Sequence, residues 1–266
     1  MRHTRHVAFG LLASFVVCLA IGCGDDADLN SQWQLVEDSD GIAVYSKHRT
    51  DSRVKTFRGV GTFESEKPLA LLNAMSKSDS SPGAAGLATF FLGDNGALYF
   101  LVSTEIEILE SGLENFLTRV KIDPIWPVQC REFLIAGRVR QDKQMLDAFS
   151  RATVVEYQSV GAPQESTNEC VPIGGAFGEL RLLPVADGEV EVTYEVLFDL
   201  GGDVPPSLVE RGTREIPRRA LERARAAMLN PENQDYDFPE LEDPEFRSSE
   251  DAAERPDYSA YPNARS

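Results

Sequence analysis

Histidine is almost missing from this chain, with three in 266 residues, and two of those, His3 and His6, lie in an N-terminal leader. The remaining His48 stands between Lys47 and Arg49, where a solvated position is expected. No GxSxG elbow, phosphate-binding loop, HExxH pair or Cys/His cluster occurs, so the usual histidine-, nucleotide- and metal-based chemistries lack their residues and no cofactor or metal is expected. Gly59 and Gly61 are joined by no third glycine and lead into no helix, so they read as strand glycines making room for a neighbour. Positive charge is also scarce. There are 26 Lys and Arg against 43 Asp and Glu; loss of Arg2 and Arg5 with the leader leaves 24 against 43, a net charge of −19. Nucleic acid and anionic membrane surfaces both repel such a chain, so no nucleic-acid partner is expected and any lipid contact must be local and apolar.

Long apolar runs are lacking too, apart from Val7 to Ile21. With Arg2 and Arg5 before it and Gly22 after it, residues 1–22 read as an export signal, too short for a comfortable membrane span of about 20 residues. Ala20-Ile-Gly-Cys23 resembles the bacterial lipobox, an ordinary secretory signal being the other reading. The resemblance implies acylation of Cys23 and a lipid anchor in the bacterial envelope. Gly24, rather than Asp, in the next position then implies the outer membrane, facing the periplasm. Cys18 leaves with the signal, so Cys130 and Cys170 remain. An exported protein permits a disulfide between them; isolated cysteines more commonly stay as buried free thiols, and that is the expectation.

Residues 23–31 read as a polar tether, 32–229 as one domain of ordinary size, and 230–266 as a disordered tail with 11 acidic and 3 basic residues and no apolar period. Tyr236, Phe238, Phe246, Tyr258 and Tyr261 are spaced through that tail as interaction anchors or as parts of a plain solvated segment. Within the domain, the stretch from Gly174 to Leu229 organises the rest. Val190, Val192, Tyr194, Val196 and Phe198 alternate with more polar residues, the pattern of a strand with one apolar face. Leu180 and Leu182 point the same way from the preceding strand. A helix beginning at Pro205-Pro206 places Val209, Gly212 or Thr213, Ile216, Ala220, Ala224 and Met228 at three- to four-residue spacing, and Pro217 predicts a kink or break within it.

Upstream, strands are expected around an Asp40-Gly41 turn, over Val54–Phe63, over Leu98–Ile108 paired with Asn115–Ile122, after Pro124 and over Thr153–Val160. A short helix is expected over Pro68–Met75. Arg131, Phe133, Ile135 and Val139 share one strand face, aiming an arginine either at an ion pair or at a ligand.

Four segments carry a family resemblance. Asp40-Gly-Ile-x-Val-Tyr45, Phe57-Arg-Gly59, Pro124-Ile-Trp-Pro-Val-Gln-Cys-Arg-Glu-Phe-Leu134 and Asp199-Leu-Gly-Gly-Asp-Val-Pro205 resemble, in order, the landmarks of START lipid-transfer domains. The resemblance spans roughly Trp33 to Leu229. It implies an α+β helix-grip fold, a curved antiparallel sheet closing on a C-terminal helix around an apolar cavity. Residue 140–147 would be the loop beside the cavity mouth. Relatives with polar-headed or sterol ligands often carry a second arginine six residues after the first, opposed by an acid on the preceding hairpin; here stand Gly137, with Arg138 out of phase, and Thr118 and Val120.

The expected function is a monomeric, envelope-tethered lipid-binding or lipid-transfer module and not an enzyme. Its ligand, a lipid or other hydrophobic small molecule, would contact Arg131, Phe133, Ile135, Val192, Tyr194, Val196 and Phe198 from the sheet, and Val209, Ile216 and Ala220 from the lid. Two other readings stay open: a cyclase- or aromatase-like helix-grip enzyme, for which Tyr194 is the one acid–base candidate, and an envelope lipoprotein that binds a partner through its tail.

Overall fold

The structure is a computed structural model that describes residues 32–65, 71, 101–111, 115–124, 128–143, 151–162, 170–186 and 188–233. The leader, Cys23, the tether, residues 144–150 and the tail after Asn233 lie outside these, as does the expected Pro68–Met75 helix except Leu71, which is helical and buried.

Asp40 and Gly41 both have positive φ, 54° and 76°, as a two-residue hairpin turn needs, and they fold β1 (Gln34–Ser39) back on β2 (Ile42–Lys47). Seven further strands follow: β3 (Thr56–Glu64), β4 (Leu101–Ser111), β5 (Asn115–Pro124), β6 (Arg131–Lys143), β7 (Arg151–Gly161), β8 (Gly175–Ala186) and β9 (Glu189–Asp199). They form one antiparallel sheet in the order β1-β2-β3-β9-β8-β7-β6-β5-β4. The last strand therefore lies inside the sheet, joining the N-terminal meander to the rest. The expectation of a loop from Arg140 onward is corrected: β6 continues to Lys143, because residues 138–143 find partners along β7.

Register brings the main run of buried apolar residues from β2, β3 and β5 to β9 onto one face, while Leu117, Ala136 and Val160 form a smaller cluster apart from it. One row runs Phe116, Gly137, Tyr157, Gly178, Val196, Phe57 across β5, β6, β7, β8, β9 and β3. The glycines in it are spacers. A Cβ on Gly137 would overlap the Phe116 ring and one on Gly178 would overlap the Tyr157 ring, so each aromatic side chain lies over the strand beside its own. The other face carries charged cross-strand pairs, including Arg58 with Glu195 at 2.6 Å, Arg119 with Glu132 at 2.5 Å, and Arg138 with Glu156. The Trp33 ring stacks on the Arg58 guanidinium at 4.0 Å.

Two helices cover the apolar face, α1 (Pro206–Thr213) and α2 (Glu215–Leu229). Pro205 caps α1 and Pro206 fills its first position, where no N–H is required. Proline has no N–H for the carbonyl four residues back, so the helical ladder breaks before Pro217, at Arg214, whose backbone stays helical at φ −55° and ψ −37°. Val209, Gly212, Thr213, Ile216, Ala220, Ala224 and Met228 are buried as the spacing predicts, with Pro217 and Leu221 beside them. Gly59 allows the close approach: a Cβ there would stand 3.0 Å from Pro217 Cβ. Arg218 ties α2 to the β1–β2 hairpin through Glu37 and through Asp40 at 3.1 Å.

Two expectations are corrected at the domain's margins. The tail does not begin at Asn230, because a 3-10 turn over Pro231–Asn233 closes the helix and Asn233 Nδ2 donates to the Ala227 carbonyl at 2.9 Å. Cys130 and Cys170 are not free thiols but a disulfide, with Cα atoms 4.7 Å apart, brought together because Val171 pairs with the chain at Cys130–Arg131 just before and at the start of β6.

Candidate functional site

Nine of the ten expected contact residues meet under the lid. Phe133, Ile135, Val192, Tyr194, Val196 and Phe198 look inward from β6 and β9, and Val209, Ile216 and Ala220 look down on the sheet from α1 and α2. They belong to one apolar cluster, in which the Phe133 and Phe198 rings lie 6.1 Å apart. None of the nine keeps more than 7% of its surface exposed, so the face is closed by its own side chains and a guest must part them.

Arg131 is the tenth, and it does other work. Its Nε donates to the Leu200 carbonyl at 2.7 Å, and its Nη1 to the Gln129 carbonyl at 2.6 Å. Among the described residues the guanidinium makes no ion pair; it satisfies a carbonyl where the chain leaves β9 for the lid and two just before β6. Burial, and then the nearby Arg53 charge, lower its pKa from the ordinary value.

The same junction is held from a second side. Asp199, buried at the end of β9, receives Arg53 Nη2 at 2.8 Å and Nε at 2.9 Å, and its Oδ1 accepts from the Gly201 amide at 2.8 Å. Gly201 and Gly202 follow at φ 69° and 58°, a left-handed conformation that side-chain-bearing residues rarely take, and the chain then enters α1. Asp-Leu-Gly-Gly is thus a clamped turn leading into the lid.

Two hydroxyls interrupt the apolar floor. Tyr157 from β7 reaches over Gly178 to Tyr194 on β9, their oxygens 2.5 Å apart. Burial raises both phenol pKa values, that of Tyr157 to about 12 and that of Tyr194 well above the ordinary value, so both remain protonated donors. On β5, Thr118 Oγ1 is buried with no hydrogen-bond partner.

Comparison with known proteins places this geometry. No family model matches the chain. An uncharacterized protein of Pseudomonas aeruginosa is 26% identical over 222 residues, covering 82% of this chain and 97% of that one. Among solved structures, the STAR-related lipid transfer protein of Xanthomonas axonopodis (fragment 25–204) superposes with a TM-score of 0.55 at 21% identity, over 74% of this chain and 99% of that one. The lipid transfer and protein localization domain of human StarD13 superposes at 0.52 and 13%, over 77% and 92%, and human STARD10 at 0.52 and 12%, over 76% and 75%.

The chain has the START helix-grip fold.

Within that START fold, sequence reasoning found the sheet and lid faces because their periods are long and regular. It missed Tyr157 and Gly178, whose pairing across β8 depends on strand order, and it missed Arg53, whose partner Asp199 is remote in sequence. The one available signal for Asp199 was its place in the Asp-Leu-Gly-Gly signature.

Proposed function

We propose that the protein is a carrier that holds a hydrophobic ligand between the concave sheet face and the lid formed by α1 and α2, and that it does so on the bacterial envelope, anchored by acylated Cys23. The observation that carries this reading is the two-helix lid seated on a continuous apolar sheet face in the START fold. Solved proteins of this fold include a STAR-related lipid transfer protein and a lipid transfer and protein localization domain, and the same use here is consistent with a buried floor of Phe133, Ile135, Val192 and Val196. Each square ångström of apolar ligand surface removed from water contributes roughly 25 cal/mol, enough to hold a lipid once the lid has opened. Opening is assigned to the Leu200–Val204 segment, with the two glycines absorbing the backbone rotation.

The test is to express residues 24–233, purify the protein without detergent and identify what organic extraction and native mass spectrometry release. A reproducible co-purified lipid is the expected result. A protein that stays empty and takes up no lipid from mixed bacterial vesicles would defeat the reading. Anchoring is tested separately with the full chain in a bacterial host: Cys23→Ala should abolish labelling by a radioactive fatty acid and release the protein from membranes.

A further inference from the structure

The turn that leads into the lid is held from two sides, and one of them is tied together by the disulfide. Arg53 holds the first side: besides its bonds to Asp199, its Nη1 donates to the Gly202 carbonyl at 2.9 Å. Two short segments hold the second. From the start of β6, Arg131 donates to the Leu200 carbonyl, and a Cβ on Gly202 would stand 3.3 Å from its Nη2. From the chain just before β8, the Gly174 amide donates to the Asp199 carbonyl at 2.8 Å, and a Cβ on Gly201 would stand 2.7 Å from the Gly174 nitrogen and 3.3 Å from the Pro172 oxygen. The two segments are joined by Cys130–Cys170 and by two backbone bonds, from the Val171 amide to the Cys130 carbonyl at 2.9 Å and from the Glu132 amide to the Val171 carbonyl at 3.4 Å. Both cysteines are only half-buried, and Gln129 and Pro172 near them in the chain are exposed, so a small solute reaches the bridge. The bridge thus stands beside Arg131 and four residues before Gly174, the two donors that grip the turn.

We propose that Cys130–Cys170 is a redox latch on the lid. When a dithiol reductant opens the bridge, the 170–174 segment loosens from the start of β6, the second side of the turn weakens, and the lid opens more often. In the reduction a thiolate of the dithiol attacks one cysteine Sγ and breaks the S–S bond, and its second thiol then displaces the mixed disulfide. Two electrons and two protons pass to the protein, leaving two cysteine thiols and the reductant as a cyclic disulfide. Faster ligand exchange is the consequence and rests on the carrier reading; the loosening of the turn is measured without a ligand.

The experiment follows amide hydrogen exchange over seconds to minutes, a window in which β9 stays protected, in the chain from Gly24 onward. It compares oxidised protein with protein reduced by dithiothreitol and with Cys130→Ala combined with Cys170→Ala. Exchange over residues 200–213 should rise about tenfold on reduction and in the variant, the effect of losing one hydrogen bond to a charged group. Arg131→Gln with the bridge intact should speed the same residues, and reduction should then add less than about threefold, since both act on one grip. Unchanged exchange on reduction, a rise shared in proportion by β9, or a full tenfold step in Arg131→Gln would overturn the latch. Transfer of NBD-labelled phosphatidylethanolamine between vesicles should run at least about fivefold faster with the reduced protein. Equal transfer by both forms would overturn the latch and leave the carrier reading standing. If the turn loosens on reduction but no lipid is extracted or transferred, the carrier reading fails and the latch stands as a redox-controlled movement of the two helices.

Discussion

Asp199 gathers Arg53, the Gly201 amide and, through its backbone carbonyl, the Gly174 amide at 2.8 Å. Burial pushes its pKa up, but the Arg53 hydrogen bonds, the Gly201 amide and the Arg53 charge outweigh that, and the net shift is downward. A depressed carboxyl pKa gives stability that is present above the unfolded value, about 4, and is lost as pH falls through the folded value. Asp199→Asn should therefore lower stability by about 1.5–3 kcal/mol near neutral pH and flatten its fall below pH ~4, as read from urea unfolding at a series of pH values. An acid limb as steep as in the wild type would show that other carboxyls govern it. Gly178 is a second point of control. Gly178→Ala forces a methyl into the Tyr157 ring and should cost about 1–3 kcal/mol, and Tyr157→Val in the same background should recover part of this in a double-mutant cycle. Neither point was fully legible in the sequence. The Tyr157–Tyr194 bond exists because β8 lies between their strands and carries a glycine opposite Tyr157, which no local pattern encodes. Arg131 was legible as an inward residue, but its carbonyl partners are set by the geometry of loops.

Elements were more legible than contacts. β9 reads directly because one face is buried and the other carries Glu191, Thr193 and Glu195, so the alternation survives without help from register. The lid reads equally well: prolines mark its start and its interruption, and small residues mark where it touches the sheet. β6 runs further than the family resemblance implies, because pairing with β7 keeps Arg140 to Asp142 extended. The small size of Ala220 gives the lid its test. Ala220 is buried against the sheet, so Ala220→Trp should fill the space a ligand needs and abolish lipid uptake while the protein still unfolds cooperatively. Uptake equal to the wild type, measured by transfer of a fluorescent lipid from vesicles, would place the ligand elsewhere.

For the whole molecule, the disulfide is the strongest single tether across the chain. Cys130 and Cys170 are 40 residues apart in sequence, and a sequence alone does not say which such pairs approach to 4.7 Å between Cα atoms. Closing a loop of that length restricts the unfolded chain by about 4 kcal/mol in the chain-entropy description, so Cys130→Ala with Cys170→Ala should lower stability by up to that amount in denaturant titrations. A change below about 1 kcal/mol would mean that the bridge constrains little in the unfolded state. Strand order carries a different consequence. Residues 57–64 pair with 189–196, so the early meander finds its partner only in the last strand of the chain. Such distant pairing slows folding, since the chain must close its largest loop before the central contacts form. Until β9 arrives, β3 and β8 are both open edges with apolar faces, and that is the interval in which a nascent copy is open to aggregation and to proteases. Truncation between β8 and β9 should thus leave two unjoined fragments of sheet.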